Sequence, residues 1–537
     1  MTLDSGSLAW ADSLAGSWLL PTLVGLPLAV ALVLLLVPRL GDDAATRIAT
    51  GAAAVTLVLA VLGGFAAAPF DGAGIAAGNG GISVSWTWIE ALGVRFHLGM
   101  DGVSTPLVVL TALLGLLVTG HLVRVRPEAG RARSLAACYL TVVGGALATF
   151  TALDVIVFFL AFEIVLIPMW FIIAVWGDDH QPVTRYSAGG DAARREAANR
   201  FILYTAVGSA VMLLGLLLVA LRTRTTDLVT LAHDAGHGLG GGVQTTAAVL
   251  IVAGLAVKAP AFPLHTWLPP AHTTAPTGGS VLLAGVLLKM GTYGLVRLAV
   301  PVVPDGVRTI APVLGALGVA GILWAGLACF VERDLKRLIA LSSVAHMGFV
   351  LLGIASMTPR GLQGALFANV AHGLITGLLF LVVGGVKDRH HSADLATIGT
   401  GLRDRLPRLG WLLAFGAIAG LGLPGLAGFW GELLTVIGAW DSTALAGLAK
   451  PLTVAAAVGT AIAAVYLLRV LRLVWHGPRP TGPLADRFMG DATPHEVVVA
   501  APLVVFTVAL GLLPWLLLDM TGPAVRALLV ISGGNAP

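Results

Sequence analysis

The feature that most constrains this chain is a series of apolar runs, each about 20 residues long, separated by short polar segments. A run of that length, folded as an α-helix, crosses the ~30 Å hydrocarbon layer of a bilayer. About fourteen such runs can be counted, centred near residues 29, 58, 114, 143, 165, 211, 257, 289, 318, 346, 374, 424, 462 and 508. Because lipid cannot hydrogen-bond exposed backbone groups, the runs predict an all-α polytopic membrane protein.

Composition agrees with this class and argues against others. Apolar residues make up 57% of the chain and charged residues only 11%, far from the balance of a soluble domain. Cys138 and Cys329 lie apart in apolar runs, which predicts no disulfide framework and no metal or iron–sulfur site. The sequence also lacks a phosphate loop, a nucleophile elbow and a dinucleotide fingerprint, so no enzyme active site of its own is expected.

Basic residues are unevenly distributed between alternate polar segments. Segments after odd-numbered runs hold about 21 Lys and Arg, and the other segments hold about 8. Because basic loops stay in the cytoplasm, both termini are predicted to lie outside it. The most basic segments are RVRPEAGRAR, ERDLKR and residues 185–200 and 387–408. We interpret them as topology signals rather than as binding sites, and the net charge of +4 therefore gives no indication of a nucleic-acid partner.

Two stretches inside the chain have the same organisation. Runs four to eight and runs nine to thirteen each contain a proline-interrupted run followed by one more run. An odd number of runs per unit turns the second unit upside down, as in the inverted repeats of transporters. The expected segments are 1–133 with three helices, repeats at 134–300 and 301–475, and 476–537 with a fourteenth helix. Between helices two and three, GISVSWTW and GVRFHL alternate with the period of strands, which predicts a small β-hairpin.

Four ionisable residues lie near the middle of apolar runs: Glu163, Lys258, Lys289 and Glu432. Each unpaired charge there costs about 2.5–3.5 kcal/mol, so the four together would cost on the order of 10 kcal/mol, comparable with a domain's net stability. Pairs that only join helices are the simpler explanation for any one of them. Two acids and two lysines at similar depth favour a proton relay, because a neighbouring charge changes the proton affinity of a buried group. We predict that Glu163 is the partner of Lys258, and that Lys258 releases its proton toward Lys289.

Prolines beside two of these charges predict interrupted helices. Pro260 and Pro263 follow Lys258, and Pro424 precedes Glu432, so helices seven and twelve should be broken. Broken backbone at membrane depth is tolerated where it is buried in protein or lines a wet cavity. A packing kink without further role is the alternative.

Three histidines and two further acids are weaker candidates. His265, His346 and His372 lie in or beside apolar runs, and a pKa near ~6.5 suits proton transfer. A hydrogen bond to a neighbouring helix is the simpler role for each of them. Asp101 and Asp154 precede predicted helices, where helix capping is expected.

Five segments resemble the antiporter-like subunits of respiratory complex I, the proton-pumping NADH:quinone oxidoreductase. They are LGMDGVSTPLVVLT (98–111), FFLAFEIVLIPMWFII (158–173), KAPAFPLHTWLPPAHTTAPTGGSVLLAGVLLKMGTYGL (258–295), ERDLKRLIALSSVAHMGFV (332–350) and LPGLAGFWGE (423–432). The third segment is highly specific to this superfamily, and together the matches extend over nearly the whole chain. Because the related L and N subunits and cation/proton antiporter subunits have lysine where this chain has Glu432, the resemblance favours subunit M.

The resemblance implies roles for particular residues. It implies a fourteen-helix fold with inverted five-helix repeats, in which Glu163 and Lys258 form a coupled pair. Lys289 is then the linking residue and Glu432 the terminal one. In the same pattern, His346 and His372 match supporting positions of the central polar axis.

The resemblance also implies cofactors and partners. FMN, iron–sulfur clusters and quinone are expected in other subunits, and neither cofactor nor metal in this chain, which would be a subunit of a translocase. The expected partners are the L- and N-type antiporter-like subunits, small membrane subunits and the lipid of a bacterial plasma membrane, with no nucleic acid.

Three other classes remain open. A subunit of a multi-chain sodium/proton antiporter shares most of these motifs. A stand-alone permease should offer one substrate cavity, whereas here the polar groups are few, charged and spread along the chain. A membrane scaffold has no use for charges that are costly at mid-membrane.

Overall fold

The computed structural model describes residues 9–68, 81–127, 130–178, 190–478 and 490–531. Thirteen helices within these ranges are long and apolar enough to cross a membrane. The one predicted span missing from these thirteen, the twelfth in chain order, is present as two helices of 14 residues, each too short to be counted alone. An all-α polytopic membrane protein with about fourteen spans is therefore confirmed.

The first three spans are single helices, with a hairpin before the third. Their bounds are α1 (Ala9–Leu36), α2 (Asp42–Ala66) and α3 (Thr105–Arg124). The hairpin consists of β1 (Ile82–Ile89) and β2 (Val94–Met100), which pair antiparallel. Gly93 closes its turn with a φ of 66°, a left-handed conformation that costs glycine nothing. The predicted hairpin is confirmed.

Spans four to eight form the first group of five. Their helices are α4 (Ala132–Thr151), α5 (Val155–Ile164), α6 (Leu166–Trp176), α7 (Gly190–Thr223), α8 (Leu228–Asp234), α9 (Gly241–Lys258), α10 (Leu268–Thr274), α11 (Thr277–Leu282), α12 (Leu288–Gly294) and α13 (Val300–Val302). Span seven breaks between α9 and α10, where Pro260 and Pro263 lie, as predicted. Span five also has an interruption, at Val165, that the sequence interpretation did not include. Pro168 explains it, because the ring has no N–H to donate to the carbonyl of Ile164.

Spans nine to thirteen form the second group. Their helices are α14 (Pro304–Val331), α15 (Leu335–Ala355), α16 (Pro359–His390), α17 (Leu395–Ile398), α18 (Leu402–Arg405), α19 (Pro407–Gly420), α20 (Ala427–Trp440) and α21 (Ala449–Val470). Span twelve breaks between α19 and α20, as predicted. Gly422 and Gly425 have φ angles of 69° and 92° there, with Pro424 between them.

The C-terminal region contains one helix more than predicted. After the fourteenth span, α22 (Pro494–Leu512), the chain continues into α23 (Trp515–Ile531), which packs against α16. Asp519, Pro523 and Arg526 interrupt the apolar pattern of α23, and the pattern therefore does not reveal it.

Two equivalent contacts demonstrate the inverted repeat. Asp154 caps α5 and forms an antiparallel bridge with Asp227, which caps α8. Asp334 caps α15 and forms the same bridge with Asp394, which caps α17. Each bridge has two backbone hydrogen bonds of 2.8–2.9 Å. The first joins connections after even-numbered spans and the second joins connections after odd-numbered spans, so the two bridges lie on opposite sides. The capping predicted for Asp154 is confirmed.

Other polar contacts agree with this alternation. On the side of the connections after odd-numbered spans, which we call the basic side, Arg126 pairs with Asp43. On the opposite side, His97 Nδ1 lies 2.8 Å from Asp227 Oδ1. Burial would raise the pKa of Asp227, but hydrogen bonds from His97 and Thr230 outweigh it and hold that pKa below its usual value. The contacts support a chain that crosses the membrane at each span.

Candidate functional site

Lys289 lies at the centre of a buried row of polar groups. It is in α12, between the π-helical turns Leu283–Leu287 and Leu295–Ala299, and its side chain is fully buried. Its ammonium nitrogen Nζ lies 2.5 Å from the carbonyl oxygen of Ala284 and 2.5 Å from Nδ1 of His372. Local π-helical turns of this kind are frequent at functional sites.

The row continues from His372 to Glu432. The ring of His372 meets the ring of His346 edge-on, with centroids 5.9 Å apart. His346 Nδ1 lies 3.2 Å from Glu432 Oε1, and Thr460 donates a hydrogen bond of 3.0 Å to Glu432 Oε2. Four residues singled out from the sequence, on α12, α15, α16 and α20, are thus brought together.

A small cavity lies beside the two imidazoles. Its volume is about 30 Å³, and its lining includes Ser342, His346, His372, Thr376 and Glu432. One water molecule needs about 10–15 Å³ by this measure, so the cavity has room for one or two. His372 Nε2 is buried and has no hydrogen-bond partner within the described ranges. A water molecule there can bridge the two rings, which are too far apart to bond directly.

Lys258 and Glu163 form a second, separate group. Lys258 ends α9 and is 2% exposed; its Nζ lies 3.4 Å from the carbonyl oxygen of Phe162 and 4.0 Å from the centroid of the Phe162 ring. Glu163 acts electrostatically on Lys258, yet the two form no ion pair, and Glu163 Oε1 is buried with no partner in the part of the chain that the structure describes. The structure therefore shows this acid and this lysine as neighbours that are not in contact.

The helices that carry the two lysines touch at Gly291. A Cβ atom added to Gly291 would lie 2.6 Å from the backbone nitrogen of Ala259, next to Lys258. Glycine thus permits α12 to approach the end of α9. No hydrogen bond in the described ranges joins Lys258 to Lys289 directly. The buried polar residues of the site form two segments. The first is Glu163 with Lys258, and the second runs from Lys289 through His372 and His346 to Glu432. We call the two segments together the buried axis.

The variant Gly291→Ala should destabilise the protein by about 1–3 kcal/mol, because the added methyl group meets backbone that cannot move aside. The measurement is the thermal unfolding temperature in detergent. Gly120→Ala in α3 is the control, since its added Cβ would find its nearest atom at 4.0 Å. Both substitutions gain the same helix propensity, so the difference isolates the contact. Equal unfolding temperatures for the two variants would show that the close approach is not needed.

His265 lies outside the buried axis. Its ring packs against Phe262 and Trp324, with centroids 5.6 and 4.6 Å away. Its Nδ1 is buried without a hydrogen-bond partner among the residues described. Of the three predicted histidines, the structure brings His346 and His372 to the axis but not His265.

A buried ion pair absent from the sequence-based set lies at the far end of span eight. Arg297 donates to Asp101 Oδ2 at 2.8 Å, and both side chains are almost inaccessible. Tyr293 accepts a hydrogen bond from Arg297 and donates one of 2.8 Å to the carbonyl oxygen of Phe150. Asp101 also accepts from the backbone N–H groups of Val103 and Ser104. Both residues precede α3, which begins at Thr105, so the helix capping predicted for Asp101 is wrong and the ion pair is its main contact. An arginine inside an apolar run was the available signal, since a buried guanidinium requires an acid.

The inverted repeats, the two broken spans and the buried axis define a class of protein: an antiporter-like membrane subunit. Broken helices beside buried charges near mid-membrane are the features that mark ion pathways in such folds.

Comparison with known proteins gives the family. The family model described as NADH:quinone oxidoreductase/Mrp antiporter, TM, matches residues 152–458. NADH-quinone oxidoreductase subunit M of Rhodobacter capsulatus is 37% identical over 524 residues, which cover 95% of this chain and 96% of that protein. The chain belongs to the NADH:quinone oxidoreductase/Mrp antiporter family, as a subunit of the M type of NADH-quinone oxidoreductase.

Comparison with solved structures shows the same fold in related complexes. A chain of respiratory complex I from Thermus thermophilus superposes with a TM-score of 0.81 and 27% identity, over 96% of this chain and 100% of that chain. A chain of the Mrp complex from Dietzia sp. DQ12-45-1b gives a TM-score of 0.79 at 23% identity, over 95% and 98%, which shows a shared fold alone.

Proposed function

We propose that this chain carries protons across the membrane along the buried axis, as part of a proton-pumping NADH:quinone oxidoreductase. The observation that supports this proposal most is the series of close polar groups from Lys289 to Glu432. Lys289 Nζ is 2.5 Å from His372, and His346 is 3.2 Å from Glu432. The cavity between the two histidines has room for a water molecule. Family membership supplies the second argument.

The first segment acts as the loading step. When Glu163 approaches Lys258, the carboxylate stabilises the ammonium form, and when it withdraws, burial favours the neutral amine. The present arrangement, with no ion pair between them, corresponds to the withdrawn state. Water beside the contact between α9 and α12 then carries the proton released by Lys258 to Lys289.

The second segment acts as the transfer step. An imidazole accepts a proton at one nitrogen and releases one from the other, so His372 and His346 can pass a proton from Lys289 to Glu432. Glu432 lies against the break in span twelve: a Cβ on Gly422 would meet Glu432 Oε2 at 3.1 Å. Backbone groups freed by the break can hold water there and give the proton a way out.

The redox reaction belongs to other subunits in this proposal. FMN, iron–sulfur clusters and quinone bind there, and the L- and N-type antiporter-like subunits and small membrane subunits are the partners of this chain. The membrane is a bacterial plasma membrane. The basic side then faces the cytoplasm and both termini lie outside it, because arginine-rich connections are retained inside.

Purification of the tagged chain from its native membrane tests the proposal. Subunits that carry FMN and iron–sulfur clusters should co-purify. In reconstituted vesicles, NADH and a quinone should then drive proton movement that persists without sodium. Recovery of the chain alone, recovery with cation-antiporter subunits only, or transport that requires sodium would refute the proposal.

A further inference from the structure

Three charged residues meet beneath the basic side, at the ends of spans five, ten and eleven. Lys336 donates to Asp178 Oδ2 at 2.9 Å and to the carbonyl oxygen of Ala275, and Lys387 pairs with Asp178 Oδ1. Lys336 is only 2% exposed. The basic segments that contain both lysines were interpreted as topology signals and not as binding sites. The structure adds a contact to that interpretation, because an acid draws both Lys336 and Lys387 into one cluster.

A cavity of about 530 Å³ opens over this cluster. Asp178 and Lys387 are among its lining residues, whereas Lys336 is not. A space of that size admits many water molecules, given about 10–15 Å³ for one. The carboxylate of Asp178 therefore stands between a wettable cavity and the ammonium group of Lys336.

An isolated imidazole lies on the inner side of Lys336. Lys336 bonds to Ala275 at the end of α10, and His272 is one turn earlier in that helix. The ring of His272 is fully buried and stacks on Phe380 with centroids 4.5 Å apart. Neither ring nitrogen has a hydrogen-bond partner in the described ranges. Lys336 and Lys289 are both near enough to act electrostatically on His272, so this imidazole neighbours both the cluster and the buried axis.

We propose that Asp178 is a gated proton-entry site on the basic side, which feeds Lys289 through Lys336 and His272. This inference rests on the proposed function. In the state shown, ionised Asp178 holds both ammonium groups and the gate is closed. Water in the cavity protonates Asp178, and Lys336 then loses its counter-charge and gives its proton to His272. The neutral amine of Lys336 finally takes the proton from Asp178, so one proton has moved inward and both groups are restored.

The charges around Asp178 set the pH at which the gate works. Burial would raise its pKa, but the ammonium groups of Lys336 and Lys387 outweigh burial and hold the pKa below its usual value. Asp388 on α16 also acts on this cluster. The remaining titratable or charged groups that line the cavity are Arg126, Arg194, His121, His391 and Tyr139.

Asp178→Asn in the whole reconstituted complex is the first test. An amide cannot carry the proton, so the proton-to-electron ratio should fall as far as it does in Glu432→Gln, while the amount of assembled complex stays normal. Asp178→Glu should retain transport, and Asp404→Asn on the basic side, which removes a half-exposed acid, is the control. An Asp178→Asn complex with the parental ratio overturns the entry site. If Glu432→Gln also keeps the parental ratio, the proposed function itself has failed.

Lys387→Gln tests the same inference even if Asp178→Asn does not assemble. Removal of one ammonium group should raise the pKa of Asp178. Since the gate needs the protonated carboxyl, the decline of pumping at alkaline pH should move upward by about one pH unit. A purely structural ion pair would leave the pH profile of the pumping rate where it was, and that result would overturn the proposal.

Discussion

Glu432→Gln should remove about 99% of the proton flux through this chain, since a positioned acid or base contributes at least about 10²-fold to proton transfer. Glutamine has nearly the same shape and can still accept the hydrogen bond from Thr460, so the fold should be preserved. It cannot take a proton from His346, which lies 3.2 Å from the present carboxylate. The measurement is the proton-to-electron ratio of the reconstituted complex, which should drop to the value set by the other subunits.

Glu196→Gln is the matched control for this substitution. Glu196 is a half-exposed acid near the start of α7 that pairs with Arg200 and is not one of the residues of the buried axis. Its loss should leave the ratio unchanged. If the Glu432→Gln complex pumped at the parental ratio, Glu432 would not be the terminal residue of the pathway.

Arg297→Ala should destabilise the protein by about 3–5 kcal/mol, because it leaves the buried carboxylate of Asp101 without a counter-charge. Burial would raise the pKa of Asp101, and the guanidinium of Arg297 outweighs burial and holds that pKa below its usual range. The pair ties the segment before α3 to the end of span eight. The expected result is a marked fall in the thermal unfolding temperature of the detergent-solubilised protein.

Two further variants decide whether the unpaired charge is the cause. Arg200→Ala removes a half-exposed partner of Glu196 and should cost about 0–1 kcal/mol. The double variant Asp101→Leu, Arg297→Leu should recover part of the loss, since apolar replacement of a buried pair is often neutral. An unchanged unfolding temperature for Arg297→Ala would show that Asp101 is satisfied without its arginine.

The sequence was sufficient to predict the spans, the two broken helices and the hairpin. Length and apolarity decide whether a helix can cross a membrane, and proline acts on its own helix, so both features can be recognised locally. The four mid-membrane charges could be identified for the same reason, because each is exceptional within its own run. The structure adds the contacts between His346, His372 and their charged neighbours.

Features that depend on distant partners could not be predicted in the same way. Arg297 and Asp101 are far apart in the chain. Only the three-dimensional structure shows that Asp101 is the acid that pairs with the buried arginine. Lys336 lies in a segment whose composition is that of a topology signal, but Asp178 gives this lysine a buried partner. The interruption at Val165 was missed although Pro168 was available as a signal, because the helix resumes at Leu166 and the apolar run continues past the proline.

The two mirrored aspartate bridges limit how this protein can move. Each fastens the start of a helix to the connection that leads into a broken span, through backbone hydrogen bonds whose strength does not depend on side-chain protonation. A passing proton therefore leaves these clamps in place. Within each repeat, the two connections that a bridge joins should therefore keep their relative positions while side chains turn and the interrupted helix beside them flexes.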